Sequence, residues 1–549
     1  MNKTEKFVLI IYCGIISILV ATQYVERSIY PYFPISSVFV FLLLIYAKNV
    51  RVKISLIIIC TYGALYPLLI HVITPSLLGN DPDRFAIWVQ QVINIGEREA
   101  IGSAFYSDAP FMLLHSAMTS TVSGIFSYQS LYLFSIIIGI CLPILAKSMF
   151  DILPTHIPEK HYIPILVLLP LSASVVTYST NPIGQTASFI YFIFIVFIIF
   201  KYMSGWDIRY FILLMVISHA IMFSHKVTLF IIFSIFLLVA LHWILIIDSG
   251  SPSKIPIVSM IIAALFFLQW FQVTGYASRG LNRILAGLFF SSSDVQSYTP
   301  VMAISNESLL FTQALYGGHI IILLAIGGFA WAIVLMSILF EPVENNTHTY
   351  FLLYSSAVTV AFTIFSYLSS TINPHRLLYM AEPLVIILIG IALYEFPSYK
   401  RLTHMLILFL LLSQVFAGSA LPDIDRQNTD YLTEKDKQVI QFHNNHINGS
   451  TYADHGLIAQ SPHSEIVTSE GPDRQNRFIS YPNSILNGSI SLSNHSAIYR
   501  EDRYVYRAST GSTWRLQWEI VIELEKNNKI YSSDTNHIYR GHVVAGVNN

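Results

Sequence analysis

Residues 54–84 read ISLIIICTYGALYPLLIHVITPSLLGNDPDR, an apolar run over 54–73 that gives way within a few positions to Gly79-Asn80-Asp81-Pro82-Asp83-Arg84. The first part has the length a helix needs to cross a bilayer, about 20 mainly apolar residues, because no water is present there to satisfy its backbone. The second part puts two carboxylates around a proline where such a helix would re-enter water. Together they predict a membrane protein with chemistry at one surface.

Working outward, the 549 residues are 54% hydrophobic and only 11% charged, with a mean hydropathy of +0.58; soluble globular chains are roughly one quarter charged. A soluble enzyme is excluded. Thirteen apolar runs have spanning character: 7–25, 32–47, 54–73, 127–147, 161–179, 184–202, 209–224, 227–247, 255–274, 319–340, 350–369, 377–395 and 402–420. Lys3 and Lys6 precede the first, and no small-residue cleavage site follows it, so it reads as a retained helix. The 31 basic and 32 acidic residues nearly cancel, which gives no reason to expect a nucleic-acid partner. Their distribution is uneven, since 27 of these 63 charges lie in 421–549. The expected class is an all-α multi-pass membrane bundle (1–420) with a small α+β extracytoplasmic domain (421–549).

Orientation follows from short-loop cations. With the N-terminus in the cytoplasm, inside loops hold Lys48, Arg51, Lys53, Lys147, Lys160, Lys201, Arg209, Lys254, Lys400 and Arg401, while outside links hold fewer. About thirteen crossings then put the C-terminus outside. Two outside loops are long, 74–126 and 275–318, and loops of that size are usually functional or disordered. In the first, Phe85, Trp88, Val89, Val92 and Ile93 fall at helical spacing, and 110–125 predicts a second, interfacial helix. In the tail, 433–446 predicts a helix, and 513–524 predicts a strand that turns at Asn527-Asn528 into another around Ile530. Cys13, Cys60 and Cys141 all lie in apolar runs, so the tail is expected to fold without disulfides.

Each candidate site has a plain structural alternative. Asp81 and Asp83 could serve as a general base and as a ligand for a hydroxyl or a divalent metal, or Asp83 could simply cap a helix starting at Phe85. Arg376, beside His375, is an outward cation against the positive-inside bias; its planar fork suits phosphate, but it could equally snorkel to lipid headgroups. His225 and Lys226 interrupt an apolar hairpin at the same surface, as anion ligands or as interfacial anchors. Arg279 and Arg283, one turn apart in the second long loop, form either an anion clamp or a solvated face. His219 and Glu382 need partners or a cavity if they are buried in the membrane. The sequence contains no phosphate-binding Gly-Lys-Ser/Thr loop, paired-His zinc helix or Gly-x-Ser-x-Gly elbow.

The Asp81-Pro82-Asp83 pair in the first external loop, the helices after it, the many crossings, the external tail and the stretch from Asn373 to Pro383 together resemble the GT-C superfamily of integral-membrane glycosyltransferases. The resemblance implies sugar transfer from a polyprenyl- or dolichyl-phosphate carrier at the extracytoplasmic face of the cell membrane, in the manner of mannosyltransferases. Asp81 or Asp83 would be the catalytic carboxylate, and Arg376 would bind the carrier phosphate. The acceptor would be a lipid-linked glycan, a cell-surface polymer or a protein. Lys226, His225, His375, Arg279 and Arg283 join the phosphate site only by their expected side of the membrane. The tail has Trp514 and Trp518 but no Trp-Trp-Asp-x-Gly motif, which argues against transfer of a whole glycan to asparagine. Competing classes are a glycan or lipid flippase or transporter, and a polysaccharide polymerase or ligase.

Overall fold

The computed structural model describes residues 1–26, 32–46, 50–73, 80–98, 104–153, 157–205, 207–245, 255–275, 306–340, 347–369, 375–394, 400–424 and 434–447, the tail strands, and the single residues Ile101, Ala277 and Leu457. Every apolar run of the sequence coincides with helix. In chain order the helices are α1 (Lys3–Glu26), α2 (Tyr32–Tyr46), α3 (Val52–Ile73), α4 (Asn80–Ile95), α5 (Ala104–Asp108), α6 (Phe111–Ser123), α7 (Ser127–Phe150), α8 (Glu159–Leu168), α9 (Ala173–Thr180), α10 (Gly184–Ser204), α11 (Ile208–Met222), α12 (Lys226–Leu245), α13 (Ile255–Phe267), α14 (Asn306–Phe340), α15 (Thr347–Ser369), α16 (His375–Tyr394) and α17 (Lys400–Ile424). Among the described residues, seven helices are long and apolar enough to cross a membrane, or eight if one bent pair counts as a single span. The remaining apolar helices, such as Tyr32–Tyr46, Ile208–Met222 and Leu377–Leu393, are shorter. The expected count of thirteen crossings therefore exceeds what length and composition show.

Helix contacts sort into the two ends of the bundle. At one end, Glu5 and Asn2 form a reciprocal cap at the start of α1, with Glu5 N donating to Asn2 Oδ1 (2.8 Å) and Asn2 N to Glu5 Oε2 (2.9 Å). The same carboxylate takes Arg51 Nε at 2.6 Å and Arg51 Nη2 at 3.0 Å, joining the starts of α1 and α3. Lys147–Asp151–Tyr162, the Asp207–Arg209 pair and the Ser204–His348 bond belong to this end too. Asp207 caps α11 through Arg209 N, and the Arg209 guanidinium beside it holds its carboxyl below the usual range.

In the bundle centre α3 and α7 meet at two glycines. A β-carbon on Gly139 would lie 2.5 Å from the Gly63 carbonyl group, and one on Gly63 would lie 2.7 Å from Pro170 and 2.9 Å from the Gly139 oxygen. Small residues permit such backbone contact between membrane helices. Gly139→Leu is therefore expected to destabilise the bundle by ~3 kcal/mol or more, read as a lowered midpoint in a denaturing-detergent titration, whereas Gly14→Leu, with open space around it, leaves the midpoint unchanged.

The fifth apolar run is not one helix. α8 tightens into a 3₁₀ turn at Leu169–Leu171, Ser172 is extended (φ −66°, ψ 147°), and α9 leaves at 40°. Pro170 causes the break, because it has no N–H and clashes with the preceding turn. The freed amides of α9 are capped from other helices: Ala173 N donates to Gln414 Oε1 of α17 (3.0 Å) and Ser174 N to Glu382 Oε2 of α16 (2.8 Å). Glu382 thus has a structural partner inside the bundle. His219 bonds the Met215 carbonyl one turn back (2.8 Å) and lies at the exposed face of α11.

The tail holds α18 (Glu434–His446) and β1 (Thr451–Ala453), β2 (Phe478–Ser480), β3 (Ser496–Arg500), β4 (Val505–Arg507), β5 (Thr513–Arg515), β6 (Asn528–Ser532) and β7 (Asn536–Arg540). Five strands form a mixed sheet in the order β2-β1-β3-β7-β6, with β1 parallel to β2 and to β3. Val439 and Ile440 of α18 pack with Ile498 and Ile538 in its core, and His443 Nε2 meets Thr451 Oγ1 at 2.7 Å. The helix falls where expected. The strand around Ile530 does too, as β6, which pairs with β7; of the expected 513–524 strand, Thr513–Arg515 is β5, paired with β4. Alternation identifies a strand but not its partner. Residues 516–527, including Asn527, lie outside the described residues; Asn528 is already in β6 opposite Arg540.

Candidate functional site

Helix α4 starts at Asn80, so the Asp81-Pro82-Asp83 triplet forms its first turn. The expected start at Phe85 with Asp83 as cap is therefore corrected. Pro82 suits a first turn, where its missing N–H has no partner to lose, and both acidic residues sit where the helix dipole favours negative charge. The side chains of 71–84 lie outside the described ones, so Asp81 and Asp83 are placed by backbone alone. Beyond them the amphipathic reading holds: Phe85, Trp88, Val89 and Val92 are buried. Phe85 and Trp88 pack on Tyr106, with ring centroids 4.8 and 5.5 Å away. α6 has 13 residues, about 20 Å, too short to cross, and closes on Gly124 in the left-handed region (φ 72°). This matches the interfacial-helix expectation in length.

Tyr106 leads to the tip between α11 and α12. A β-carbon on Gly184, the first residue of α10, would lie 3.8 Å from the Tyr106 ring and 3.6 Å from the Ser224 oxygen. Phe111 N at the start of α6 donates to Phe223 O at 3.1 Å. His225 is buried, with Nδ1 2.9 Å from Thr228 Oγ1, which donates to Ser188 Oγ of α10 at 3.0 Å. Lys226 begins α12 and is half-buried.

One turn along α10 from this tip, Phe189 stacks on Tyr379 of α16 at 3.9 Å, and Tyr178 of α9 reaches the same ring at 4.8 Å. His375 and Arg376 form the first turn of α16, directly before Tyr379. Their side chains lie outside the described ones, and Arg279 and Arg283 lie outside the described residues altogether. The structure thus gathers the starts of α4, α10, α12 and α16 at one end of the bundle, opposite the Glu5–Arg51 end. Helix starts present free N–H groups and a positive dipole end, a setting that favours anions. Among the described residues no group of three or more His, Cys, Asp or Glu side chains is placed to hold a metal; the metal reading of Asp81 and Asp83 lies outside them.

Sequence reasoning missed Gln269 and Trp270. They lie in a π-helical segment, Leu268–Val273, that continues α13. Gln269 is buried and donates its Nε2 to Met222 O, while Trp270 Nε1 donates to Lys226 O at 3.2 Å. A polar residue within an apolar run was the available signal.

No family model matches the chain, and neither does any curated protein sequence. Among solved structures it is similar to the archaeal oligosaccharyltransferase AglB from Archaeoglobus fulgidus in complex with an inhibitory peptide and a dolichol-phosphate: TM-score 0.50 at 11% identity, over 84% of this chain and 74% of that one. The apo A. fulgidus oligosaccharyltransferase gives 0.48 at 11%, over 76% and 64%. ArnT from Cupriavidus metallidurans bound to undecaprenyl phosphate gives 0.47 at 10%, over 88% and 97%. This chain spans less than two thirds, 64%, of that apo oligosaccharyltransferase. The likeness at TM-score 0.50 concerns the fold alone, a multi-pass membrane bundle.

Proposed function

We propose that the chain is a membrane glycosyltransferase that takes a sugar from a polyprenyl- or dolichyl-phosphate carrier. The observation that supports this most is the gathering of the Asp81/Asp83, Lys226 and His375/Arg376 turns at one end of the bundle, through Tyr106, Gly184, Phe189 and Tyr379. In this reading that end is extracytoplasmic, the N-terminus is inside, and thirteen passes put residues 421–549 outside as a separate domain. Asp81 or Asp83 takes the proton of an acceptor hydroxyl. The freed oxygen bonds to the anomeric carbon as the bond from that carbon to the carrier phosphate oxygen breaks. The lipid monophosphate leaves with the added negative charge, which Lys226, Arg376, His375 and the helix starts stabilise, with Arg279 and Arg283 as further cations. The fold neighbour at TM-score 0.50 was solved with a dolichol-phosphate, which fits such a donor. The acceptor is a lipid-linked glycan, cell-surface polymer or protein hydroxyl, and the donor sugar is a hexose such as mannose.

Purified protein in nanodiscs, given decaprenyl-phosphate [¹⁴C]mannose and membrane acceptors, is expected to move label to acceptor and release decaprenyl phosphate in equal amount. Movement of the donor across liposomes without transfer would instead identify a flippase. Joining of preassembled glycans with both aspartates dispensable would identify a polymerase or ligase.

A further inference from the structure

The link between α11 and α12 has its backbone bonded almost carbonyl by carbonyl. His219 O accepts Phe223 N, Ile221 O accepts both Ser224 N and His225 N, and Ala220 O accepts Ser224 Oγ. Met222 O takes the Gln269 amide, Phe223 O takes Phe111 N, and Lys226 O takes the Trp270 indole N–H. The C-terminal end of a helix leaves carbonyls such as those of Met222 and Phe223 unsatisfied, and at a membrane surface water or local turns would serve them; the Lys226 carbonyl lies instead in the first turn of α12, where the indole bond is an additional tie. Here two of the bonds come instead from neighbouring residues of a π-helical segment, a rare structure found mostly as single-turn bulges and frequently at functional sites. Gln269 Oε1 is buried with no hydrogen-bond partner among the described residues, so the amide is buried for the single bond to Met222. Trp270 also packs its ring 5.2 Å from that of Phe230, one turn after Lys226, and on the other side His225–Thr228–Ser188 ties the same turn to α10. Both flanks of Lys226 are thereby fixed.

We propose that Gln269 and Trp270 are positioning residues that hold Lys226, through the carbonyls of Met222 and of Lys226 itself, in register with the anionic group of the lipid donor. His225 acts with them as an anchor of the turn through Thr228. This rests on the donor-phosphate reading above. It adds that the lysine's charge counts only while the π-turn fixes its backbone.

The test compares binding of decaprenyl phosphate with binding of decaprenol by the full chain in nanodiscs, in wild type, Trp270→Phe, Gln269→Leu, Lys226→Gln and the two double variants with Lys226→Gln. Trp270→Phe keeps a ring and loses only the donor. Each π-turn variant is expected to lower the preference for the phosphate about tenfold, with decaprenol binding unchanged, and to have little further effect once Lys226 is Gln. A preference retained in Trp270→Phe, or a loss that adds fully to that of Lys226→Gln, overturns the inference. If Gln269→Leu does not fold, Trp270→Phe alone decides it. A wild type that binds both lipids equally overturns the donor reading itself, a result distinct from variants that keep a wild-type preference.

Discussion

Transfer activity is expected to fall by about 10²–10⁴-fold when the catalytic one of Asp81 and Asp83 is replaced by asparagine, the range that a positioned general base contributes. Both lie in the first turn of α4, so Asn keeps size and hydrogen bonding there while removing the basic oxygen. On the proposed mechanism, in which the carboxylate acts on the acceptor proton and not on the carrier, the loss should fall on kcat with donor KM within about threefold. The aspartate whose replacement has the smaller effect is then the one serving the helix start. Wild-type kcat in both single variants would remove the base from this turn.

The second large effect concerns the broken helix. Glu382→Leu is expected to destabilise the protein by about 1–3 kcal/mol, the cost of leaving a buried donor unsatisfied, because Ser174 N loses its acceptor inside the bundle. Glu382→Gln keeps an acceptor oxygen and is expected to recover most of that loss, measured as the unfolding midpoint in mixed detergent micelles. A midpoint equally low for Gln and Leu would mean that the carboxylate's charge matters rather than its capping bond.

These two sites show what the sequence discloses and what it does not. The apolar runs were readable because a membrane span must satisfy its own backbone and so carries a long uniform signal. The amphipathic α4 was readable from Phe85, Trp88, Val89 and Val92 at helical spacing, all buried in the structure. Its start was not, since Asp83 suits a cap as well as it suits the first turn that it occupies behind Pro82. The break at Pro170 was not read from the sequence, where 161–179 stood as one run, and the acceptors for the freed amides come from Glu382 and Gln414, 208 and 241 residues away from Ser174 and Ala173. Nothing local to either sequence names its partner. For the site, the residue types at Asp81, Lys226 and Arg376 were legible, while the ring contacts that bring their helices together at Tyr106 and Tyr379 were not. Gln269 and Trp270 were missed for the same reason, their partners being carbonyls on a different helix.

The most direct measurement is an experimental structure of the full chain in nanodiscs with decaprenyl phosphate. The phosphate is expected at the end of the bundle where α4, α12 and α16 begin, within hydrogen-bond reach of Lys226 and Arg376 and facing Asp81 or Asp83. A phosphate bound at the Glu5–Arg51 end, or lipid separating the start of α4 from that of α16, would contradict the account.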